Sequence, residues 1–351
     1  MLVIGDNASL PPGSVVQEPG GFVWWYLDLG DHAGDGVVVI VGFGLPFLPG
    51  VEGAGRAGHP VPALERPSVT VSTYRQGRPD AYLFQEFPSD QATWTDAGVD
   101  MPGVVVRWTD GSIRVELDLV VPGSPDRLRG SVEVAGARAQ LTPDPPGPHT
   151  WTPVIPAGRG SASLSHGRWS HRVQGEGYHD RNHSRVPLGR LGIAQWSWGR
   201  VALPDATWIW YWLESQDPGD DMLRLLRVAP DGRVRELADP QVTAGGWRRD
   251  RFGLRWCSTL ELRADGRVLQ VEQRDPVDRG PFYLRHPVSL TVDGQTGAGW
   301  SELVVPPKLD VAWQRPLVRM RVCDPSGRDS MWLPLFSGPR RGRIRRLLGM
   351  G

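Results

Sequence analysis

Apolar and polar positions alternate with a period of two through much of the chain. The clearest run is Thr207-Trp208-Ile209-Trp210-Tyr211-Trp212-Leu213-Glu214, where Trp208, Trp210 and Trp212 share one side and Ile209, Tyr211 and Leu213 the other. Since both sides are apolar, both sides of that strand are expected to be covered. Just upstream, residues 194–200 place Trp196 and Trp198 on one side with small or polar residues opposite, and Pro204-Asp205 between the two runs reads as a hairpin turn. Further turns are predicted at Thr109-Asp110-Gly111, Pro230-Asp231-Gly232 and Ala264-Asp265-Gly266. Apart from a modest helical pattern in the last residues, no segment keeps a 3.6-residue apolar period. The pattern predicts an all-β chain of antiparallel meanders, folded as barrels or sandwiches with little helix.

At 351 residues the chain is comfortable for two domains, and its 44 glycines and 33 prolines are spread as breakers between short strands. The proline-rich stretch 142–148 and the Gly/Ser stretch 158–163 mark the middle, predicting domains at 1–160 and 161–338 and a basic tail at 339–351. Lys and Arg number 39 against 39 Asp and Glu, so no overall field argues for nucleic acid as a partner. Cys257 and Cys323 are too few for a disulfide framework and are expected to be reduced packing residues. The first residues show neither a basic segment nor a long apolar one, which predicts a cytoplasmic protein. The longest apolar run, 36–51, contains Pro46 and Pro49 and falls short of the roughly 20 residues of a membrane helix. In the tail, Arg340, Arg341, Arg343, Arg345 and Arg346 alternate with or precede Ile344, Leu347 and Leu348. That composition fits a solvated tail or a peripheral contact with an anionic inner membrane.

Candidate chemistry concentrates at residues 175–188, GEGYHDRNHSRVPL, with a second constellation at His149-Thr150-Trp151. Together they offer an acid, a phenol, an imidazole and an indole, groups suited to cation chemistry on an apolar substrate. Asp180, packed among Tyr178 and tryptophans, is a candidate general acid; raising a carboxyl from about 3.9 to 7 requires about 4 kcal/mol, which burial can supply. The competing reading is a loop carboxylate that bonds its own backbone or pairs with Arg181 or Arg185. Since the two constellations flank the expected junction, a site between the domains is expected. The Trp-rich strands read equally as core or as the lining of a long apolar cavity.

Other motifs fail on context. Gly53-Ala54-Gly55-Arg56-Ala57-Gly58 has dinucleotide-binding spacing, but Pro60 and Pro62 follow at once, which predicts a flexible loop. His179 and His183 have metal-binding spacing only on a helix, and Gly175, Gly177 and Pro187 argue against one, so no metal is expected. Neither a nucleophile elbow nor a cysteine beside a histidine is present.

With these residues in hand, the chain resembles the bacterial carotenoid 1,2-hydratase (hydroxyneurosporene synthase) family, which has paired lipocalin-like domains. Phe22-Val23-Trp24-Trp25-Tyr26-Leu27-Asp28 is similar to its early WWYxD strand, 42–49 to its Gly/Pro loop, and Arg127-Leu128-Arg129-Gly130 to its strand-turn signature. His149-Thr150-Trp151-Thr152-Pro153 resembles HxWxP, and Gly177-Tyr178-His179-Asp180-Arg181-Asn182 resembles GYxDxN, followed by Trp196-Ser197-Trp198. Val23 and Ser184 depart from the acid and glycine common in relatives. The resemblance implies two calycin-type antiparallel domains in tandem and cofactor-independent hydration of the terminal C1=C2 bond of an acyclic carotenoid. It implies Asp180 as proton donor, with Tyr178, His149 and Trp151 completing the site. Asn182, Trp196, Trp198, Trp210 and Trp25 are expected to bind substrate or water. A lipocalin-like cyclase or pericyclase, or an apolar-ligand carrier, is the alternative.

Overall fold

The computed structural model describes residues 2–7, 10–323 and 330–339. The chain divides into two compact units, Met1–Leu191 with Asp310–Gly351, and Gly192–Leu309. Each is a sheet of mainly antiparallel strands with turns at the expected places. Asp265 and Gly266, for example, adopt φ of +49° and +72°, the left-handed pair that a two-residue hairpin demands.

In the first unit β1 (Leu2–Ile4) is followed by β2 (Phe22–Gly30), β3 (Gly36–Phe43), β4 (Pro67–Arg75), β5 (Arg78–Glu86) and β6 (Thr93–Thr95). Then come β7 (Gly98–Met101), β8 (Val104–Thr109), β9 (Ser112–Val120), β10 (Arg127–Ala135), β11 (His149–His166) and β12 (Trp169–Ser184). They pair in the order β5-β4-β3-β2-β12-β11-β10-β9-β8-β7-β6, with the short strand Val322–Cys323 outside β5 and β1 parallel to β11. Alternate residues, such as Val23, Trp25, Leu27 and Leu29 of β2 and Ile113, Val115, Leu117 and Leu119 of β9, join one apolar core. A single cluster drawing on strands from both ends of the order requires the sheet to curl around that face. The intervening β2 residues Phe22, Trp24, Tyr26 and Asp28 point the other way and are buried too, so β2 is covered on both faces.

The junction expected at 160 falls inside β11. Its Gly/Ser run is paired on both sides, Gly160 with Gly175 and Ser163 with both Arg172 and Ser131. Small residues there permit close strand approach and do not form a linker. The proline-rich 142–148 is likewise a loop within the first unit, joining β10 to β11.

The second unit contains β13 (Ile193–Ala202), β14 (Thr207–Ser215), β15 (Met222–Val228), β16 (Val234–Glu236) and β17 (Gln241–Arg249). It continues with β18 (Arg255–Ala264), β19 (Arg267–Gln273), β20 (Asp278–Arg279), β21 (Tyr283–Val292) and β22 (Gln295–Val304). The pairing order is β16-β15-β14-β13-β22-β21-β19-β18-β17, with β20 on β21. Trp208, Trp210 and Trp212 enter its core with Leu225, Leu260 and Leu262, while Ile209, Tyr211 and Leu213 are buried on the other face. Glycine is required opposite Trp210, because a Cβ on Gly199 would lie 2.1 Å from the indole.

Helices are short: α1 (Ser14–Gln17), α2 (Val51–Arg56), α3 (Arg315–Arg319) and α4 (Leu333–Phe336). The predicted loop at 53–58 therefore begins inside a helix. The cause is remote in sequence: Asp310 Oδ2 accepts the N–H groups of Gly50 at 3.0 Å and Gly53 at 2.7 Å, capping a segment with two glycines and no local cap of its own. Glu52 of α2 accepts the N–H groups of Leu188 and Gly189, each at 3.0 Å, and so anchors the turn that leaves β12. Among the described residues no helix is long and apolar enough to cross a membrane. The arginine tail beyond Pro339 lies outside the described residues.

Candidate active site

Both polar constellations lie on one hairpin. Antiparallel pairing sets His149 opposite Ser184, Trp151 opposite Asn182 and Pro153 opposite Asp180. The expectation of constellations contributed by separate domains is thus corrected: they are neighbours on β11 and β12, joined through the turn at Gly167. Strand alternation then puts His149 and Trp151, with Tyr178, Asp180 and Asn182, on the face away from the apolar core. Two register shifts, between Pro153 and Ile155 and between Ile155 and Gly158, turn Ile155 into that core although it has the same parity as Trp151. Bulges beside a site commonly re-aim side chains in this way.

Asp180 is 5 % exposed and receives three donors. Trp151 Nε1–H donates to Oδ2 at 2.9 Å, Tyr178 O–H donates to the same oxygen at 2.8 Å, and Asn182 Nδ2–H donates to Oδ1 at 3.2 Å. Trp151 and Tyr178 are completely buried. The carboxyl is therefore fixed in orientation by one indole, one phenol and one amide, in surroundings that exclude water. An indole N–H can only donate, so Oδ2 serves as an acceptor toward Trp151.

His149 is fully enclosed, and burial pushes its imidazole down from the usual 6.5 to about 3; nearby Asn182 is the main opposing influence. No hydrogen bond of ordinary geometry reaches either ring nitrogen of His149 or Oδ1 of Asn182, although the Asn182 side chain is close enough to the imidazole to favour its charged form. His149 and Asn182 thus lie beside each other as buried polar groups on this face. Phe22 and Trp24 flank the imidazole at ring separations of 5.8 and 6.5 Å, and Tyr26 meets Tyr178 edge to face at 6.1 Å. An acid and an uncharged imidazole thus share an aromatic-walled surface.

The model of the family described as carotenoid hydratase CrtC matches residues 57–331, well over half of the chain. The chain belongs to the carotenoid hydratase family. A hydratase family is one of hydro-lyases. Among its relatives, the acyclic carotenoid 1,2-hydratase of Thiocapsa roseopersicina is 28% identical over 302 residues, covering 83% of this chain and 70% of that one. The enzyme of the same name from Rubrivivax gelatinosus is 25% identical over 318 residues, with 85% and 74% covered. The hydroxyneurosporene dehydrogenase of Chlorobaculum tepidum is 25% identical over 304 residues, 79% of each chain. Two solved structures share the fold: a protein assigned as AttH from Nitrosomonas europaea, with TM-score 0.56, 16% identity and 81% and 92% covered, and CghA, with TM-score 0.54, 14% identity and 86% and 94% covered. The β-rich, lipocalin-like architecture implied by the sequence is the one these share.

In this carotenoid hydratase family member the remaining expected site residues are placed differently. Trp25 is on the opposite face of β2 from the Asp180 surface, stacked on Trp108 at 5.4 Å and edge-on to Trp94 at 5.2 Å, within the core of the first unit. Its neighbour Trp24 takes the site face instead, paired with Asn182. Trp210 is a core residue of the second unit, whereas Trp196 and Trp198 lie on the face of β13 away from that core, with Trp196 6.3 Å from Tyr211. Sequence reasoning missed Phe22, Trp24, Tyr26 and the fully buried Asp28, which pairs with Tyr178. Two adjacent tryptophans in a strand must face opposite ways, but only the register with β12 tells which one faces the site.

His179, Arg181 and His183 occupy the other face of β12. His179 Nδ1 pairs with the Tyr26 carbonyl at 3.0 Å, and burial pushes His179 down to about 3 and His183 to about 4. Four residues of extended strand separate the two histidines by about 13 Å along the chain.

Proposed function

We propose that this carotenoid hydratase adds water to the terminal C1=C2 double bond of an acyclic carotenoid of the neurosporene or lycopene type, without a cofactor. The reading is carried by the buried Asp180 carboxyl with its Trp151, Tyr178 and Asn182 donors. Protonated Asp180 gives its proton to C2, the π bond supplies the electron pair, and a tertiary cation remains at C1. Water adds to C1, loses one proton and leaves the tertiary alcohol. The aromatic rings of Trp151 and Tyr178, held against the acid by their own N–H and O–H groups, place π density beside the developing charge, worth about 2 kcal/mol when desolvated. General acid catalysis contributes about 10²–10⁴ in rate, so fixed electrostatics must supply much of the remainder.

His149, beside Asn182 on the face of Asp180, would hold the attacking water. The uncharged imidazole of His149 keeps a lone pair for the proton of the attacking water. The Asn182 amide, turned over, accepts an Oδ1–H from protonated Asp180; in the orientation observed, it donates to the carboxylate left after transfer. The amide thereby serves both charge states of the acid.

The decisive experiment incubates lycopene or neurosporene with the protein in detergent and ¹⁸O-labelled water, beside Asp180→Asn. One labelled water gained by the wild type and absent with the variant is expected. An isomeric product of unchanged mass would identify a cyclase, and bound but unaltered pigment a carrier.

A further inference from the structure

The large apolar side chains left most open to solvent among the described residues are Met331, 82 % exposed, and Trp313, 61 % exposed. Trp332, Leu317 and Leu335 are also exposed, so five such residues fall in and beside α3 and α4. The remaining ones, Leu64, Val120, Trp247 and Val268, are scattered singly, as is usual on protein surfaces. Both helices are tied to one edge of the first unit's sheet. Val322–Cys323, directly after α3, pairs with Phe84 and Gln85 of β5, and Gly338, directly after α4, bridges Tyr82 of β5. Ser337 Oγ–H donates to the Arg321 carbonyl at 3.3 Å, and the Arg321 guanidinium sits 4.0 Å from the Tyr82 ring centre. Leu333 is anchored in the core, which leaves Met331, Trp332 and Leu335 directed elsewhere.

The charge of this region differs from that of the molecule. From residue 311 to the end the sequence has nine arginines against Asp324 and Asp329, with neither lysine nor glutamate, in a chain of net charge +0. Arg315 is engaged by Asp310 at 2.6 Å, while Arg319 is exposed. Exposed tryptophan, methionine and leucine in an arginine-rich stretch of the sequence match the two requirements of an interfacial anchor. The apolar groups enter the acyl boundary, and each arginine near an anionic surface adds about 1 kcal/mol.

We propose that the α3–α4 edge of the first unit docks on the interfacial region of an anionic bilayer. Collection of a water-insoluble polyene would be the use of such docking, and that use rests on the function proposed above; the docking itself does not. The cationic excess of this stretch of the sequence favours anionic lipid over a second copy of this neutral chain.

The test is sedimentation of the full chain with phosphatidylcholine vesicles containing phosphatidylglycerol, and with phosphatidylcholine alone. No carotenoid is present, so failure of the hydratase reading leaves the result untouched. Binding is expected to the anionic vesicles and to weaken by about tenfold or more on the neutral ones or at high salt. The triple variant Trp313→Ser, Met331→Ser, Trp332→Ser is expected to weaken it by about tenfold while keeping its unfolding midpoint. Truncation after Pro339 is expected to leave part of the binding. Full binding by the triple variant, or complete loss on truncation alone, would overturn the proposal. So would a wild-type dimer without vesicle affinity that the triple variant dissociates, which would make the edge a protein interface.

Discussion

Asp180 is held by groups that differ in what replacement should do. Asp180→Asn is expected to lower turnover by about 10²–10⁴-fold while retaining pigment binding, read from the pigment's absorption shift. Tyr178→Phe and Asn182→Leu each delete one hydrogen bond to the acid, on the order of 1.5–3 kcal/mol; kcat should fall about tenfold to hundredfold with KM little changed. An equal loss in KM and none in kcat would place these residues in substrate binding instead. His149 offers a sharper test because it is a buried, uncharged polar ring. His149→Leu replaces that ring by an apolar side chain, so thermal stability should be kept or raised while turnover collapses. A destabilised but active variant would remove His149 from the mechanism. These residues were legible in the sequence as types in a motif. Their hydrogen bonds were not, since the choice of Oδ1 or Oδ2 depends on rotamers that packing sets.

At the level of elements, the β11–β12 hairpin brings together residues about thirty positions apart by local pairing, while its bulges set which side chains share a face. The strands themselves followed from alternation, and the turns from their Asp-Gly pairs. The domain junction at 160 did not follow: a Gly/Ser run reads as a linker in isolation, yet it suits closely paired strands equally well. Helix α2 is the converse case, since a Gly-rich segment becomes helical through the carboxylate of Asp310. Asp310→Ala should therefore lower stability by about 1–2 kcal/mol, seen as a reduced urea midpoint. An unchanged midpoint would show that packing, and not this cap, holds the helix.

Across the whole molecule, buried histidines tie stability to pH. Burial holds His149 and His179 near 3 and His183 and His286 near 4, against an ordinary 6.5. Below 6.5 the unfolded chain takes up protons that the folded chain refuses, so the stability present above 6.5 is lost as pH falls toward 4. Glu52 and Glu214, raised by burial, act in the opposite sense, but they are fewer. The urea midpoint should accordingly drop between pH 7 and pH 5, and a midpoint flat across that range would contradict the uncharged state of these imidazoles. His149 itself stays uncharged throughout, so an acidic limb of activity in that range would belong to another group.

The sequence by itself determined the all-β class, the turns, the family and the four residue types of the proposed site, because these rest on short-range periodicity and on motifs read along the chain. Only the tertiary structure decided that Trp24 and not Trp25 shares the face of Asp180, that Trp210 is core, that the junctions lie at 191 and 310, and that α3 and α4 share an edge with exposed apolar side chains. Each of these depends on strand register or on partners far apart in sequence, and a one-residue change of register reverses every side chain on a strand.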